Sequence, residues 1–372
     1  MIQKKILIAG GHLSPAIAVI EELHKNNETC KISYVGRIHP LEGDSSLSLE
    51  YKTIKELNIP FYSIITGRFE RHFGLSFFTS LLKIPIGLIQ AFYYFFKVHP
   101  DGVITFGGYV SFPIGIVSYL LNIPFIIHEQ TESLGLSNRI LSRIADMTFL
   151  TFDDTKYVPG RIKTEVIGML KRTYDERKAN KEIIQFGDVS LPLIFICGGS
   201  LGSRSINNLI YKSLSKLLVK YRVIHQCGEA GERKDYSVLK EEQKKLPGKI
   251  ADNYHVFPSC DYHTFYFILK SSDLVIGRSG ANTVSDLSTL RKKSIFIPLP
   301  WSGDNEQLLN AKRFIKKYSG YILEQKDAES AKLITAIEDV LKLPEIKSVK
   351  EEKSEEKVNS AASRIVRVVN SL

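Results

Sequence analysis

The sequence predicts an α/β protein with two doubly wound parallel-sheet domains that face a cleft. Short apolar runs of strand-forming residues alternate with longer amphipathic stretches, which is typical of strand-helix-strand units in a parallel sheet. Two of these runs end in glycine turns, Gly10-Gly11 near the start of the chain and Gly198-Gly199 past its middle. With 372 residues, the chain exceeds the size at which one hydrophobic core stops growing, so two domains are expected.

The predicted strands form two consecutive sets, and each set is large enough for a complete sheet. The first set covers residues 6–9, 32–35, 61–64, 102–105, 125–128, 147–150 and 165–167. The second set covers residues 193–197, 222–226, 254–257, 274–277, 294–298 and 320–323. A polar segment at residues 171–187 separates the two sets. The boundary is therefore expected near Gly168, with domains at residues 1–167 and 168–345.

The last part of the chain, residues 346–372, predicts a charged helix. Its apolar residues recur at helical spacing and form one stripe: Val358, Ala361, Ala362, Ile365, Val366 and Val369. Because such a stripe needs a partner surface, we expect this helix to pack back on the N-terminal domain.

A mostly apolar segment at residues 75–96 is long enough to cross a bilayer. Lys83, Pro85 and Gln90 interrupt it, and a charge near the middle of a lone span costs roughly 2.5–3.5 kcal/mol. The segment is therefore interpreted as a loop followed by a helix, in which Ile86, Leu88, Ile89 and Phe92 are expected to face the core. Its leading edge mixes aromatic and basic residues, which suits an anionic membrane surface; these are Arg68, Phe69, Arg71, His72, Phe73, Leu75, Phe77 and Phe78.

The composition, with 44% apolar and 24% charged residues, is that of a soluble globular protein. The four cysteines share no paired spacing, which favours a reducing, cytoplasmic compartment. The net charge of +10 is uneven, since residues 1–166 carry 16 Lys and Arg against 15 Asp and Glu, and residues 167–372 carry 34 against 25. This charge permits contact with nucleic acid, anionic membrane or a phosphorylated substrate, and it selects none of them.

The glycine turns favour phosphate binding. A buried parallel strand that leads through a glycine turn into a helix points backbone N–H groups at an anion. The motif Arg278-Ser279-Gly280 precedes a further predicted helix. Three such turns favour a transferase with two substrates over a single nucleotide-binding domain.

Several motifs, in this order and spacing, give the chain a resemblance to a known family. They are Gly10-Gly11-His12 with Pro15-Ala16, Phe106-Gly107-Gly108-Tyr109-Val110-Ser111, Ile127-His128-Glu129-Gln130, Gly198-Gly199-Ser200-Leu201-Gly202-Ser203, Arg278-Ser279-Gly280, and Asp304-Asn305-Glu306-Gln307 with Asn310-Ala311. Together they resemble the MurG family, which transfers N-acetylglucosamine from UDP to a lipid-linked N-acetylmuramyl-pentapeptide in peptidoglycan synthesis. The resemblance spans nearly the whole chain and implies the GT-B fold of two Rossmann-like domains.

The resemblance implies that the second domain binds the UDP-sugar donor. The second glycine loop would hold the diphosphate, Asp286 would accept from the ribose hydroxyls, and Glu306 and Gln307 would meet the sugar. The family has glutamate at the Asp286 position and two glutamines at the Glu306-Gln307 position. The full set of expected donor contacts is Arg172, Gly199, Ser200, Gly202, Ser279, Asp286, Glu306, Gln307 and Asn310.

The acceptor and the catalytic base are expected in the first domain. His12 follows a strand-end glycine turn, and imidazole is the side chain whose ordinary charge change lies near neutral pH, so His12 is the predicted base. Glu129 is the alternative, either as the group that orients His12 or as the base itself. The family loop before the histidine is longer than the one in this chain. The expected acceptor contacts are Gly10, Gly11, Gly107, Gly108, Tyr109, Ser111, His128 and Gln130.

No histidine pair or alternating aspartate pair has the spacing of a metal site, so a metal-independent, inverting displacement without a cofactor is expected. The expected partners are UDP-N-acetylglucosamine, a polyprenyl-diphosphate-linked sugar-peptide and the anionic cytoplasmic face of the cell membrane, with no nucleic acid. Two alternatives remain: a related enzyme that glycosylates another lipid such as diacylglycerol, and a non-catalytic scaffold that binds a nucleotide sugar or a membrane.

Overall fold

The structure is a computed structural model that describes residues 4–26, 30–39, 47–67, 75–199, 202–228, 235–345 and 352–371; for residues 75–82 and 352–360 only the backbone is described. The chain forms two compact units. Unit 1 consists of Met1–Thr173 with Glu351–Leu372, and unit 2 consists of Tyr174–Lys350. The chain therefore enters unit 2 at Tyr174, and its C-terminal segment belongs to unit 1.

The secondary structure of unit 1 alternates between strands and helices. Its strands within the described residues are β1 (Lys5–Ala9), β2 (Lys31–Gly36), β3 (Phe61–Ser63), β4 (Gly102–Thr105), β5 (Phe125–Glu129), β6 (Met147–Leu150) and β7 (Thr164–Val166). The helices between them are α1 (Leu13–Asn26), α2 (Leu49–Glu56), α3 (Leu75–Val98), α4 (Gly108–Leu120) and α5 (Leu136–Leu141).

Unit 2 has the same alternation. Its described strands are β8 (Leu193–Cys197), β9 (Arg222–Gln226), β10 (Tyr254–Phe257), β11 (Leu274–Gly277), β12 (Ser294–Phe296) and β13 (Gly320–Ile322). Its helices are α6 (Arg204–Leu218), α7 (Asp235–Lys244), α8 (Gly248–Ala251), α9 (Tyr262–Ser271), α10 (Ala281–Leu290), α11 (Glu306–Ile315) and α12 (Ser330–Lys342). A last helix, α13 (Glu352–Ser371), belongs to unit 1.

Both sheets are parallel and doubly wound over the described residues. The strand order is β3-β2-β1-β4-β5-β6-β7 in unit 1 and β10-β9-β8-β11-β12-β13 in unit 2. Every predicted strand is present, with boundaries that agree within two residues. The strand order reverses between β1 and β4 in unit 1 and between β8 and β11 in unit 2. In open α/β sheets, ligands bind outside the carboxyl ends of the strands at such switch points.

Helix α13 packs on α1, as its apolar stripe requires. Ala361, Ala362, Ile365, Val366 and Val369 are buried in one cluster with the α1 residues Ile17 and Ile20. Polar contacts also hold the helix in place. Arg364 donates two hydrogen bonds to Glu165 of β7 (2.7 and 2.9 Å). Lys4 donates to the carbonyls of Val369 and Asn370 near the helix end. The Arg364 guanidinium lowers the pKa of the Glu165 carboxyl.

Truncation of Ile365 is expected to destabilise the protein by about 2–5 kcal/mol, the usual cost of Ile→Ala at a fully buried site. Ile365→Ala should therefore lower the midpoint of urea unfolding without a loss of helix content in the folded state. Arg367→Ala is the control, because Arg367 is exposed on the same helix and surface changes usually stay within about 0.5 kcal/mol. Equal midpoints for the two variants would mean that α13 contributes little to the stability of unit 1.

The orientation of α3 differs from the prediction. Leu88 and Phe92 pack against the core as expected, but Ile86 and Ile89 are exposed, so the expectation that they face the core is wrong. The buried face of the helix centres on the i, i+4 pair Ala91 and Phe95, and Ile86 and Ile89 lie on the opposite side. The side chains at residues 68–78 that suggested membrane contact lie outside the described residues. Within the part of the chain that is described, no helix is long and apolar enough to cross a membrane.

Candidate active site

His12 lies directly after β1 at the switch point of unit 1, and its imidazole Nδ1 is 2.9 Å from the carbonyl oxygen of Phe106, which follows β4. A carbonyl oxygen can only accept, so Nδ1 carries the hydrogen and Nε2 of the neutral ring is the acceptor. The side chain is half-buried. This contact therefore orients the ring and leaves Nε2 able to take a proton.

The two glycine loops of unit 1 touch one another beside His12. A Cβ added to Gly11 would overlap the Gly107 carbonyl, so only glycine allows this close approach. Gly107 itself has φ 77° and ψ −163°, a conformation that disfavours other residues. The Ser111 hydroxyl donates to the Gly107 carbonyl at 2.5 Å and is fully buried. Ser111 therefore supports the loop through this hydrogen bond, and its contact with the acceptor stays a prediction.

Glu129 is buried at the end of β5, and its side chain accepts hydrogen bonds from residues before α5 and from one residue within it. Its carboxylate accepts from the Thr131 N–H (3.0 Å), the Gly135 N–H (2.9 Å) and Asn138 Nδ2 (3.0 Å). None of its hydrogen bonds within the described residues comes from His12, so the alternative that Glu129 orients His12 is wrong. The Phe106 carbonyl has that role.

The neighbours of Glu129 in the sequence are buried as well. His128 and Gln130 are each at most 2% exposed. Burial, with a smaller contribution from the charge on His12, lowers the pKa of His128 to about 3, so His128 is neutral near neutral pH. His128 lies in β5 and Gln130 directly after it, and their contact with an acceptor stays a prediction.

Tyr109 lies in the first turn of α4 and is half-buried. The guanidinium of Arg37, which follows β2, lies 4.7 Å from the centre of the Tyr109 ring. Thr66 Oγ1 donates to the Tyr109 carbonyl at 3.5 Å. Gly108, with φ 69°, connects Tyr109 to the close approach at Gly107. The expected acceptor residues Gly10, Gly11, Gly107, Gly108 and Tyr109 thus lie at one sheet edge together with His12.

In unit 2, α6 and α10 begin at the switch point, after β8 and β11. Their N-cap residues, Ser203 and Gly280, make no side-chain capping hydrogen bond. By contrast, α9 is capped by Asp261, whose carboxylate accepts from the N–H groups of His263 and Thr264. Uncapped N–H groups and the helix dipole favour an anion at this edge.

The glycine loop before α6 is only partly described. Ser200 lies outside the described residues. Gly199 has φ 89°, and a Cβ there would meet nothing within 4 Å. Gly202 has φ 79°, and a Cβ there would overlap the Cys227 carbonyl, so this loop passes close to the end of β9. Both glycines are required by backbone geometry at the edge where α6 begins.

Arg278 is a cation at this edge whose individual role the sequence analysis did not assign. Its Nη2 donates to Ser203 Oγ (2.8 Å), Ser205 Oγ (2.7 Å) and Gln325 Oε1 (2.7 Å), and its Nη1 donates to the Ile297 carbonyl (2.8 Å). None of these partners is a carboxylate. Burial lowers the pKa of Arg278 to about 10. Because this value is still well above neutral pH, the guanidinium stays charged there. The feature of the sequence that could have identified Arg278 is its place at the start of the Arg278-Ser279-Gly280 motif.

Ser279 and Asn310 connect the starts of α10 and α11. The buried Ser279 hydroxyl donates to the Gln307 carbonyl (2.7 Å), and Asn310 Nδ2 donates to the Ser279 carbonyl (3.1 Å). Both side chains thus form hydrogen bonds within the fold, and their contact with the donor stays a prediction. The turn before α11 contains left-handed Asp304 (φ 50°) and Asn305 (φ 55°), a strained backbone of the kind found at functional sites.

Gln307 has a fixed amide orientation. Its Oε1 accepts from the Leu299 N–H at 3.0 Å, which leaves Nε2 as a hydrogen-bond donor. Glu306 and Asp286 are half-buried; Asn310 Nδ2 lies 3.5 Å from Glu306 Oε1, and the Tyr262 hydroxyl lies 3.4 Å from Asp286 Oδ1.

Arg172 is half-buried at the end of unit 1, next to the boundary at Thr173.

Among the described residues, no group of three His, Cys, Asp or Glu side chains is arranged to hold a metal ion. The four cysteines are free. Two Rossmann-like units, each with a doubly wound parallel sheet and glycine turns at its switch point, are the architecture of the GT-B glycosyltransferases.

Comparison with known proteins gives the family. Residues 9–150 match the glycosyltransferase family 28 N-terminal domain, and residues 193–365 match the glycosyltransferase family 28 C-terminal domain. A Clostridium perfringens protein named UDP-N-acetylglucosamine--N-acetylmuramyl-(pentapeptide) pyrophosphoryl-undecaprenol N-acetylglucosamine transferase is 32% identical over 348 residues, 91% of this chain and 90% of the relative. A Legionella pneumophila protein of the same name is 30% identical over 364 residues, 96% of this chain and 93% of the relative.

A solved structure agrees with these relatives. The crystal structure of Acinetobacter baumannii MurG has a TM-score of 0.65 and 26% identity, covering 99% of this chain and all of that one. The chain belongs to the MurG family of glycosyltransferases. The resemblance in the sequence motifs is thereby confirmed over nearly the whole chain.

Proposed function

We propose that the protein transfers N-acetylglucosamine from UDP-N-acetylglucosamine to a lipid-linked N-acetylmuramyl-pentapeptide, the step from lipid I to lipid II in peptidoglycan synthesis. The printed names of its relatives describe this transfer. The observation in the chain itself that carries the proposal is the hydrogen bond between His12 Nδ1 and the Phe106 carbonyl, because it leaves Nε2 ready to act as a base at the switch point of unit 1.

The proposed reaction is a single displacement. His12 Nε2 removes the proton from a hydroxyl of the N-acetylmuramyl sugar as the hydroxyl oxygen bonds to C1 of N-acetylglucosamine. The bond between C1 and the UDP oxygen breaks, and its electron pair leaves with the diphosphate. The configuration at C1 is inverted because attack and departure occur on opposite faces. General-base assistance and stabilisation of the leaving charge are the two contributions that the protein must supply.

Unit 2 would stabilise the departing diphosphate. The helix starts of α6 and α10, which lack a side-chain cap, and the Arg278 guanidinium favour an anion there. Asp286 would accept from the ribose hydroxyls, and Gln307 Nε2 would donate to the acetamido carbonyl of the sugar. Gly199, Ser200, Gly202, Arg172 and Glu306 are proposed as further donor contacts, while Ser279 and Asn310 position the starts of α10 and α11.

Product analysis tests the proposed function against its alternatives. The purified protein is incubated with labelled UDP-sugars and a panel of polyprenyl-diphosphate and diacylglycerol acceptors. We expect label from UDP-N-acetylglucosamine in the polyprenyl-diphosphate-linked N-acetylmuramyl-pentapeptide. Transfer to diacylglycerol instead would favour the related lipid enzyme, and binding of UDP without any transfer would favour the scaffold.

We propose that the exposed face of α3 contacts the membrane that holds the acceptor lipid. Ile86, Ile89, Tyr93 and Phe96 form a stripe along this helix and are 46%, 70%, 59% and 64% exposed. Lys97 lies beside it, with Nζ 5.8 Å from the centre of the Tyr93 ring. An apolar stripe with a neighbouring cation suits the interface of an anionic bilayer. This supports a peripheral position on the cytoplasmic face of the cell membrane.

The double variant Ile89→Ser, Phe96→Ser is expected to weaken binding to anionic liposomes at least about 10-fold, since full burial of each apolar side chain contributes about 1.5–3 kcal/mol. Co-sedimentation measures this, and binding should fall with salt because the basic contribution is screened. Val189→Ser is the control, because Val189 is an exposed apolar residue of unit 2. Equal sedimentation of wild type and double variant would exclude α3 as the membrane surface.

A further inference from the structure

Glu50 is a buried acidic group beside the proposed base, and the sequence analysis did not identify it. It lies in the first turn of α2, and its carboxylate is placed between the ends of β1 and β2. A Cβ added to Gly10 would overlap Glu50 Oε1, and a Cβ added to Gly36 would lie 2.7 Å from Oε2. The Glu50 carboxylate thus occupies the space that side chains at positions 10 and 36 would fill, so both positions require glycine.

Both oxygens of Glu50 are held by donors on β2 or directly after it. The hydroxyl of the fully buried Tyr34 donates to Oε1 at 2.7 Å, and the Arg37 N–H donates to Oε2 at 3.1 Å. A carboxylate has about four acceptor positions, so two positions remain. Gly10 is in turn joined to β2 by its N–H, which donates to the Val35 carbonyl at 2.8 Å. Glu50 is therefore fixed to β2 by hydrogen bonds and packs against Gly10 at the start of the turn that carries His12.

The electrostatic surroundings link Glu50 to His12. Burial raises the pKa of the Glu50 carboxyl, while Tyr34, Arg37 and the charge on His12 lower it. A Cβ on Gly10 would overlap Glu50 Oε1, and Gly10 is two residues before His12, so a negative charge on Glu50 lies close to the turn that carries the imidazole. His128 of β5, whose pKa is lowered to about 3, contributes no charge near neutral pH.

We propose that Glu50 is a positioning residue for the transfer reaction: it holds the turn that carries His12, and its carboxylate stabilises the imidazolium formed when His12 accepts the acceptor's hydroxyl proton. This inference rests on the proposed function. Glu50 touches neither substrate in the proposed reaction and acts through His12. It does so from α2, an element that the glycine and histidine motifs do not include.

The Glu50→Gln variant removes the negative charge and keeps the size of the side chain. The glutamine oxygen can still accept from the Arg37 N–H, and its amide can donate to the Tyr34 oxygen, so the turn keeps its support. Without the negative charge, kcat is expected to fall about 10-fold, and the ascending limb of kcat against pH to move about one unit lower. The KM for UDP-N-acetylglucosamine should not change. The assay uses the full chain with that donor and the polyprenyl-diphosphate-linked N-acetylmuramyl-pentapeptide.

Two further variants serve as controls. Glu56→Gln removes an exposed carboxylate from the same helix and should leave the pH profile as in wild type. Tyr34→Phe removes one hydrogen bond and keeps the charge, so it should lower kcat only slightly and leave the limb in place. Thermal unfolding shows whether each variant is folded. A folded Glu50→Gln protein with wild-type kcat and pH profile would overturn the inference, as would the same limb shift in Tyr34→Phe.

The two levels of the proposal fail in different ways. Wild-type protein that transfers no N-acetylglucosamine to the lipid acceptor would overturn the proposed function. Wild-type protein that does so, with a Glu50→Gln pH profile that is unchanged, would overturn only the role of Glu50.

Discussion

Replacement of His12 by alanine should lower turnover about 10²- to 10⁴-fold, the usual contribution of a general base, and leave UDP affinity unchanged. The reason is that Nε2 is the acceptor of the neutral ring, since Nδ1 donates to the Phe106 carbonyl. UDP is proposed to bind in unit 2, so the loss should appear in kcat. Steady-state kinetics with the lipid acceptor and calorimetric titration with UDP measure the two quantities separately.

His12→Asn sharpens this test. The asparagine amide can still donate to the Phe106 carbonyl, but it cannot accept a proton, so a base role predicts a loss as large as for alanine. His24→Ala is the matched control, because His24 is exposed on the same helix that follows His12. Substantial activity in His12→Asn would make His12 a structural residue of the loop.

Glu129→Gln addresses the competing base. Because the carboxylate accepts from Thr131, Gly135 and Asn138, its replacement should lower stability and affect turnover less than His12→Ala. A large loss of turnover in folded Glu129→Gln, with His12→Ala nearly silent, would make Glu129 the base.

Arg278→Met should weaken UDP binding about 10- to 150-fold, since hydrogen bonds to charged groups contribute about 1.5–3 kcal/mol. Arg278 is the buried cation at the edge of unit 2 where α6 begins, and it orients the Ser203 hydroxyl. Its hydrogen-bond partners are neutral, so its charge is not cancelled by a bonded carboxylate. Methionine keeps the length of the side chain and removes the charge. Calorimetric titration with UDP measures the change.

Arg222→Met is the matched control for Arg278. Arg222 begins β9 and donates to the carbonyls of Ile184 and Phe186, at the opposite edge of the same sheet. Its loss should lower stability without a change in UDP affinity. If both variants bind UDP as wild type does, the diphosphate does not depend on this cation, and the helix starts of α6 and α10 remain as the anion site.

Much of the fold could be predicted because its signals are local. Strands β4, β6, β8, β9, β10 and β11 have the predicted bounds. A strand buried on both faces needs a continuous apolar run, and the glycine turn that follows it ends the run abruptly. The place of His12 at a strand end also followed from neighbouring residues. The tautomer of His12 did not, because the Phe106 carbonyl that sets it is 94 positions away in the chain.

The parts that were predicted wrongly or missed depend on distant contacts. Ile86 and Ile89 of α3 have the same apolar character as Leu88 and Phe92, and only packing against the sheet distinguishes the exposed face from the buried one. This difference has no signal within a few residues of the chain.

The sequence by itself determined the class of fold, the strands and the family, because apolar periodicity and glycine turns are local properties of the chain. Only the tertiary structure decided which polar side chains are available for chemistry. It joined Arg278 to the start of α6, used Ser279 and Asn310 to connect two helices, and brought Glu50 from α2 to the turn before His12. Hydrogen bonding and burial of a polar group depend on neighbours that the chain supplies from distant segments, so these roles follow from packing.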